Sequence, residues 1–278
     1  MTTTAPLVSV VMTSYRDPFE RLRRAVDSIL GQSMPDLELL IAFEPGDPNA
    51  EALENAYQDA RLIVLRNPTR QGMTRSFNRG LEQARGRYIA RMDSDDSAYP
   101  KRFEQQLAFF AAHPEVSLTG GAVTIIDDDG KTIATRRFGR DHKAIIRNFA
   151  LMNALCHPTV MWAREKVGYD LRYDESYAAA EDLELWFRLL GHGHRLANLE
   201  EPLIAYKQTA EWRRPMQNWR GNLRVRANHW RLAFRYPVLL VGLCAFAVLA
   251  VTPKPIVDRL TGRGGFSDFV RSIRPTPS

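Results

Sequence analysis

Residues 66–100 read RNPTRQGMTRSFNRGLEQARGRYIARMDSDDSAYP, and this stretch holds the strand, loop and helix signals that decide the fold. The apolar segment at residues 87–92 predicts a buried strand, and Asp93, Ser94, Asp95 and Asp96 follow it directly. Side chains alternate along an extended chain, so Asp93 and Asp95 point the same way at the end of the strand. Two such carboxylates can hold one hard divalent cation, which in turn can bind a diphosphate.

Around this stretch, apolar runs and helical patterns alternate along the chain. Buried strands are predicted at residues 7–12, 37–43, 61–65 and 87–92. Helices are predicted between them: one opened by Asp17 and Pro18 and stopped by Gly31, one at residues 49–58, and one at residues 72–84. This alternation implies right-handed crossovers and a mostly parallel α/β sheet covered on both faces.

Ligands of such sheets bind outside the carboxyl ends of the strands. Polar residues stand at four of these predicted ends, namely Ser14 with Tyr15, Glu44, Asn67, and the acidic run at residues 93–96. Their convergence on one edge predicts a binding site there.

The second half of the chain contains less regular signals. Helices are predicted at residues 100–113, starting at Pro100, and at 144–151 and 181–190; strands are predicted at residues 116–126, 159–163 and 196–206. Asp127, Asp128, Asp129 and Gly130 are interpreted as a hairpin turn, not a metal loop, because Asp and Gly suit the backbone geometry of a turn.

The net charge of +6 is concentrated near the C-terminus. Between Glu211 and Asp258 there is no acidic residue, and an apolar run at residues 237–251 follows a series of arginines. This run is shorter than the roughly 20 residues that span a bilayer. We expect residues 213–252 to contact a membrane surface beside anionic lipid. The alternatives are a core helix with a solvated basic face and, less favoured, a nucleic-acid surface.

The N-terminus lacks the pattern of a signal peptide, and Cys156 and Cys244 show neither metal nor disulfide spacing. A reducing, cytoplasmic setting is therefore expected, with the protein peripheral on the inner face of the cell membrane.

The order and spacing of five segments resemble family 2 glycosyltransferases of bacterial surface-polysaccharide synthesis. These segments are SVVMTSYRDP, NPTRQGMTRSFNRGLEQARGRYIARMDSDD, Pro100 with Arg102, HPTVMWAR and AAEDLELWFRL. The resemblance implies a GT-A fold, a Rossmann-like and mostly parallel sheet flanked by helices, at residues 1–210. Residues 211–278 would form a C-terminal helical segment that associates with the membrane.

The resemblance also implies roles for residues on the donor side. Ser14 and Tyr15 would lie near the nucleobase, and Glu44 would accept a hydrogen bond from the base or ribose. The family usually has two aspartates at these positions; Glu44 matches the second, whereas Phe43 departs from the first. Arg75 could pair with a phosphate or contact the base.

In the acidic run, Asp93 would contact the ribose beside Ser94, and Asp95 would ligate Mn²⁺ or Mg²⁺, with Asp93 as a further ligand. Asp96 would support either role or cap the helix starting at Pro100.

On the acceptor side, the resemblance implies that Asp182 is the catalytic base, with Glu181 as the alternate. A helix N-terminus keeps such a carboxylate ionised. His157 and Trp186 would border the acceptor. The late histidine that many members bring to the metal is absent at residues 205–209, and so is the Gln-x-x-Arg-Trp signature of processive members.

Together these features predict an inverting, metal-dependent enzyme that moves one sugar from a nucleotide sugar to a hydroxyl of a glycan acceptor, expected to be lipid-linked. Two alternatives stay open: a nucleotidyltransferase acting on sugar phosphates, and a non-catalytic nucleotide-sugar-binding protein of the same fold. No nucleic-acid partner is expected, and the sequence does not determine the oligomeric state.

Overall fold

A computed structural model describes residues 5–127, 129–177, 179–207 and 215–252. Within these residues the strands are β1 (Val8–Ser14), β2 (Leu37–Phe43), β3 (Leu62–Arg66), β4 (Tyr88–Arg91), β5 (Ser97–Ala98), β6 (Val116–Ile126), β7 (Thr132–Arg136), β8 (Met161–Ala163) and β9 (Arg195–Lys207). The helices are α1 (Phe19–Leu30), α2 (Pro48–Ala56), α3 (Met73–Gln83), α4 (Arg102–Ala112), α5 (His142–Phe149), α6 (Arg164–Val167), α7 (Glu181–Gly191), α8 (Pro215–Asn228), α9 (Leu232–Arg235) and α10 (Leu239–Val251). Short 3₁₀ turns lie at His157–Thr159 and Gly168–Leu171.

The strands form one mixed sheet in the order β3-β2-β1-β4-β8-β6-β9-β5, with β7 paired to β6. The first four of these strands are parallel, as the alternating strands and helices predict. The prediction of a mostly parallel sheet is only partly correct for the rest, where β6 and β9 pair in parallel but the other pairs do not. Strand β8 runs antiparallel to both β4 and β6, and the β6–β7 hairpin and the β5–β9 pair are also antiparallel. The second half of the chain lacks a regular strand–helix alternation, and its strands pair in both directions.

The sheet is covered on both faces because its central strands are apolar on both sides. On β1, Val10 and Met12 belong to a cluster with Leu22 of α1, whereas Val11 faces a cluster containing Phe77 of α3. This two-sided burial explains why the strands are nearly continuous apolar runs instead of alternating ones.

Local predictions around the acidic run are confirmed in outline and corrected in detail. Strand β4 ends at Arg91, which places residues 93–96 at its carboxyl end. The following helix begins at Arg102, not Pro100, and Asp96 does not cap it. Asp96 instead accepts a hydrogen bond from the backbone N–H of Lys207 at 2.9 Å, so β9 ends beside the acidic run. The short strand β5, which has no sequence signal, makes this approach through its pairing with β9.

The C-terminal helices pack onto the same body. Helix α8 lies against α7, and α10 lies against α8 and α5. Gly242 of α10 has no room for a side chain beside Ala150, so the helices are in close contact. No helix in the described parts of the chain is both long and apolar enough to traverse a bilayer. The predicted boundary at residues 210/211 lies outside the described residues, as do residues 253–278 and Asp128 of the predicted turn.

Candidate active site

Asp17 joins the loop after β1 to the acidic run after β4. Its Oδ2 accepts hydrogen bonds from the hydroxyls of Ser14 and Ser94, each at 2.7 Å. Arg16, which lies between Tyr15 and Asp17, adopts a positive φ of 55° and donates its backbone N–H to Asp47 at 2.6 Å. Two aspartates therefore fix the loop that carries Tyr15. The predicted convergence of Ser14 and Ser94 is present in the structure.

The ring of Tyr15 is 46% exposed and is in contact with two cations. The guanidinium carbons of Arg16 and Arg70 are 5.6 and 5.3 Å from its centroid. Such cation–π contacts hold the ring in place while leaving surface available. The predicted stacking of a base on Tyr15 is compatible with this exposure.

Glu44 is buried at the start of α3. Its carboxylate accepts hydrogen bonds from the backbone N–H groups of Gln71 at 2.9 Å and Gly72 at 2.6 Å, and from the Ser76 hydroxyl at 3.2 Å. It thereby satisfies donors that the N-terminus of a helix leaves without partners. In this structure Glu44 orders the turn before α3, and its oxygens are already engaged by the protein itself.

Arg75 lies further along α3 and points toward Glu175. Its Nε donates to that carboxylate at 2.8 Å, and the side chain is 58% exposed. Asn78 and Arg172 bind the same carboxylate. Arg75 is thus placed in a surface network beside the segment that precedes α7, and its predicted contact with a phosphate remains a prediction.

Arg91 and Asp93 form an ion pair at the start of the acidic run. The Nε and Nη2 atoms of Arg91 donate to one oxygen of Asp93 at 3.1 and 2.8 Å. The guanidinium is buried and lies 4.7 Å from the ring centroid of Phe77. A buried guanidinium requires such partners, because its desolvation is costly.

Asp95 and Asp96 are crowded by neighbouring negative charge. Burial, together with repulsion from Asp93, raises the pKa of Asp95 to about 6. Burial raises the pKa of Asp96 well above its ordinary value, with Asp93 and Asp95 adding to the effect. One oxygen of Asp96, Oδ2, is buried with no hydrogen-bond partner. This concentration of poorly compensated carboxylates indicates a place where a cation would be stabilised.

No three His, Cys, Asp or Glu side chains in residues 5–127, 129–177, 179–207 and 215–252 are arranged to hold a metal ion. The residues nevertheless fit a cation held by one or two carboxylates, because Mg²⁺ and Mn²⁺ keep water and accept substrate phosphate oxygens as their remaining ligands. Asp93 and Asp95 supply the hard oxygen donors for such a site.

Glu181 and Asp182 lie at the first turn of α7. Asp182 accepts hydrogen bonds from the Asn153 side-chain amide and from the backbone N–H of Leu183, the latter at 2.7 Å. Burial raises the pKa of Asp182, and burial with the charge of Asp182 raises the pKa of Glu181 to about 7. The charge of Arg91 opposes both shifts. Glu181 is therefore the member of the pair that is poised to exchange a proton near neutral pH.

Arg91 brings the two acidic groups into one electrostatic unit. It is hydrogen-bonded to Asp93, and its charge also acts on Glu181, Asp182 and His157. The charge of Asp93 reaches Glu181 as well. Direct contacts connect the same two regions: Arg91 lies over Phe77, and Phe77 packs against Tyr173. Tyr173 is hydrogen-bonded to His157, which packs edge-on to Trp186 of α7.

His157 and Trp186 lie behind this unit. The Nε2 atom of His157 is 2.5 Å from the Tyr173 hydroxyl, and burial lowers the pKa of His157 well below its ordinary value. Trp186 is fully buried, with its ring edge-on to His157 and stacked on Trp162. Trp186 therefore supports His157 by packing and presents no surface to an acceptor in this conformation.

Four site residues have roles that sequence reasoning missed: Asp17, Arg91, Asn153 and Tyr173. A signal exists for two of them. Asp17 stands two residues after Tyr15 and directly before a proline. Arg91 is a charged residue in an apolar strand. Asn153 and Tyr173 act through partners distant in the sequence, so only the folded chain reveals them.

These features define a class: an α/β protein with an acidic, cation-attracting loop at the sheet edge and a carboxylate pair at a helix start. A family model described as Glycosyl transferase family 2 matches residues 9–172, more than half of the chain. The chain belongs to this family, and it is a glycosyltransferase.

Curated relatives agree with the family assignment. The chain is 32% identical over 206 residues to the uncharacterized glycosyltransferase MJ1057 of Methanocaldococcus jannaschii, covering 73% of this chain and 71% of that protein. It is 26% identical over 250 residues to the amylovoran biosynthesis glycosyltransferase AmsE of Erwinia amylovora, covering 88% and 93%. Relatives of the chain thus take part in polysaccharide biosynthesis.

Solved structures confirm the fold. The mannosyltransferase PcManGT of Pyrobaculum calidifontis, in complex with GDP-Man and Mn²⁺, superposes with a TM-score of 0.61 at 15% identity. The match covers 98% of this chain and 82% of that one. The chain therefore has a GT-A-like α/β fold, with a mixed sheet flanked by helices, and it has a structural neighbour that binds a nucleotide sugar with Mn²⁺.

Proposed function

We propose that this protein transfers one sugar, with inversion, from a nucleotide sugar to a hydroxyl group of a glycan acceptor in surface-polysaccharide synthesis. The observation that carries the proposal is Arg91, which joins the acidic run to the carboxylate pair of α7. A donor held at the first group and an acceptor hydroxyl beside the second would meet within one cleft.

In this proposal Asp182 removes the proton from the acceptor hydroxyl as its oxygen attacks the anomeric carbon. The bond from that carbon to the diphosphate oxygen breaks on the opposite face, so the configuration inverts. Asn153 and the backbone of Leu183 orient the Asp182 carboxylate, as a general base requires. Both oxygens of Asp182 accept a hydrogen bond already, so Glu181 is retained as the alternate base.

Asp95, with Asp93, would hold Mn²⁺ or Mg²⁺ on the donor side. Such an ion supplies charge neutralisation for the departing nucleoside diphosphate. The raised pKa of Asp95 and the unpartnered oxygen of Asp96 support a cation at this position. Ser14, Tyr15, Glu44, Arg75 and Ser94 are proposed to bind or order the nucleotide-sugar donor, and His157 borders the acceptor side.

We further infer that the protein works at the inner face of the cell membrane on a lipid-linked acceptor. Apolar side chains of α9 and α10 are exposed, among them Phe234 at 79%, Val248 at 62% and Val251 at 84%. Val241, Cys244, Val248 and Val251 recur at helical spacing, and all are exposed, so they form a stripe along α10.

Charge favours an anionic bilayer as the partner of this stripe. The exposed arginines Arg231 and Arg235 lie on the segment just before α10, and no acidic residue occurs from residue 212 to 257. An apolar helix face flanked by cations is typical of a helix that lies in an anionic membrane interface.

A thermal-shift panel tests the donor part of the proposal. The full-length protein is heated with UDP-sugars and GDP-sugars, each with Mn²⁺ and with EDTA. A donor that binds the native state raises Tm by mass action, and the rise should need Mn²⁺. Transfer is then measured as release of nucleoside diphosphate. Release of pyrophosphate would indicate the nucleotidyltransferase alternative, and donor binding without turnover on any acceptor would indicate a binding protein.

A further inference from the structure

The backbone enters α7 through a strained residue. Ala180 immediately precedes Glu181 and has φ 64° and ψ 27°, in the left-handed region. A non-glycine residue there costs of order 1 kcal/mol, so it persists only where its surroundings fix the conformation. The conformation of Ala180 sets the direction in which the first residues of α7, including Glu181 and Asp182, leave the turn.

Helix α8 packs against one side of the turn that contains Ala180. Gly221 lies against this turn so closely that a Cβ atom would be 2.8 Å from the carbonyl oxygen of Ala179 and 3.2 Å from the Cβ of Ala180. Only a glycine allows the helix to approach the backbone at this distance.

Two further side chains of α8 hold the same segment. The Nη1 atom of Arg224 donates to the carbonyl oxygen of Ser176 at 3.0 Å, and its guanidinium lies 4.5 Å from the ring centroid of Tyr177. The side-chain amide of Asn228 donates to the Tyr177 hydroxyl at 2.7 Å. Contacts at positions 221, 224 and 228 follow one face of the helix, because these positions are three or four residues apart.

Helix α8 is itself anchored to the catalytic body. The buried Arg226 donates to the carbonyl oxygen of Phe149 at 2.8 Å, and its guanidinium lies 4.5 Å from the ring centroid of Phe246 on α10. His229, just after α8, lies 3.5 Å from the buried carboxylate of Glu184 on α7. The face that carries Gly221 is therefore held at a fixed position relative to α7.

We propose that α8 is a clamp for the catalytic base: Gly221, Arg224 and Asn228 are positioning residues that hold the turn before α7 so that Asp182 and Glu181 face the acceptor hydroxyl. The inference rests on the proposed function for its catalytic consequence. The C-terminal helices lie outside the segment matched by the family model. In this proposal they contribute to the acceptor side of the active site by positioning its base.

Hydrogen–deuterium exchange of the full chain tests the clamp without any substrate. The variants are Arg224→Gln, Asn228→Ala and Gly221→Ala, and the control is Arg231→Gln, which changes an exposed arginine just beyond α8. We expect backbone amides of residues 174–186 to exchange about threefold to tenfold faster in the three variants, because each loses a contact that keeps the segment closed. Exchange in β1, β2 and β4 should stay unchanged.

Transfer kinetics with the donor found by the thermal-shift panel give the second readout. We expect kcat to fall about tenfold or more in Arg224→Gln and Gly221→Ala, while KM for the donor and the Mn²⁺-dependent Tm rise with that donor stay as in the wild type. Arg224→Lys keeps one donor toward Ser176 and should recover part of kcat. Gly221→Ala separates positioning from folding, because alanine favours helix formation while its methyl group displaces the turn.

Three outcomes would overturn the proposal. The first is exchange at residues 174–186 that is equal in the variants and in Arg231→Gln. The second is acceleration spread over the whole sheet, which would indicate general loss of stability. The third is faster local exchange with an unchanged kcat. If the wild type transfers no sugar at all, the proposed function fails, and the exchange measurement still decides whether α8 holds the turn.

Discussion

Glu181→Gln should stabilise the protein above neutral pH and should leave it unchanged in acid. The pKa of Glu181 is raised from 4.5 to about 7, mainly by burial and then by the charge of Asp182. The folded state thus binds this proton more tightly than the unfolded state. The free energy of unfolding must therefore fall as pH rises from about 4.5 to about 7, and must level off above that range.

The size of the stability change follows from the difference between the pKa of Glu181 in the folded and the unfolded state. About 2.5 pH units at 1.36 kcal/mol each give about 3 kcal/mol of lost stability once Glu181 is ionised. Glutamine keeps the shape of the side chain and has no charge to desolvate. The variant should therefore exceed the wild type by up to about 3 kcal/mol at pH 8, and by less than about 1 kcal/mol at pH 5.

Urea unfolding in EDTA at half-unit pH steps from 5 to 8.5 measures this difference directly. Glu184→Gln is the matched control on the same helix, because hydrogen bonds from His229 and Arg188 outweigh burial and lower the pKa of Glu184. That variant should lose stability relative to the wild type at every pH in this range. A Glu181→Gln difference that stays flat with pH, or that becomes destabilising at pH 8, would refute the account of the α7 pair.

Two further predictions concern Arg91 and the membrane surface. Arg91→Met removes the positive charge that lowers the pKa values of Glu181 and Asp182. The acidic limb of the pH–rate profile should therefore move to higher pH. An unmoved limb would show that Arg91 does not act on the pair. Sedimentation with phosphatidylglycerol vesicles should recover the wild type at low salt but much less at 0.5 M NaCl, and Val248→Glu should weaken binding about tenfold. Ile133→Glu, at an exposed apolar position on β7, is the control, and equal loss in both variants would contradict docking through α10.

The N-terminal half of the fold follows from local signals. Each of its four parallel strands is an apolar run closed by a polar residue or a turn, and each intervening helix has its own start or stop signal. Strand β5 has two residues and β8 has three, so neither contains a periodic pattern, and their pairing depends on contacts with distant strands. The sequence therefore predicts a mostly parallel sheet, whereas the structure has a mixed one.

The candidate site also contains residues that the sequence predicts and residues that only the structure reveals. The acidic run after β4 and the α7 pair are recognisable from residue type and position. Arg91 and Asp17 have only a weak sequence signal and Gly221 has none, because the role of each depends on a partner far along the chain: Glu181 for Arg91, Ser94 for Asp17 and Ala180 for Gly221. A motif predicts which groups do chemistry, whereas the groups that align them become visible only in the packed structure.

The most direct test of the central claim is sugar transfer by Asp95→Asn and Asp182→Asn, compared with Asp129→Asn in the exposed β6–β7 turn. The account predicts that Asp182→Asn still binds donor and Mn²⁺ but loses transfer by about 10³-fold, as expected for a missing general base. Asp95→Asn should lose the Mn²⁺-dependent binding of donor as well as transfer, and Asp129→Asn should match the wild type. Wild-type transfer rates in both Asp95→Asn and Asp182→Asn would contradict the claim that the acidic run and the α7 pair form one active site.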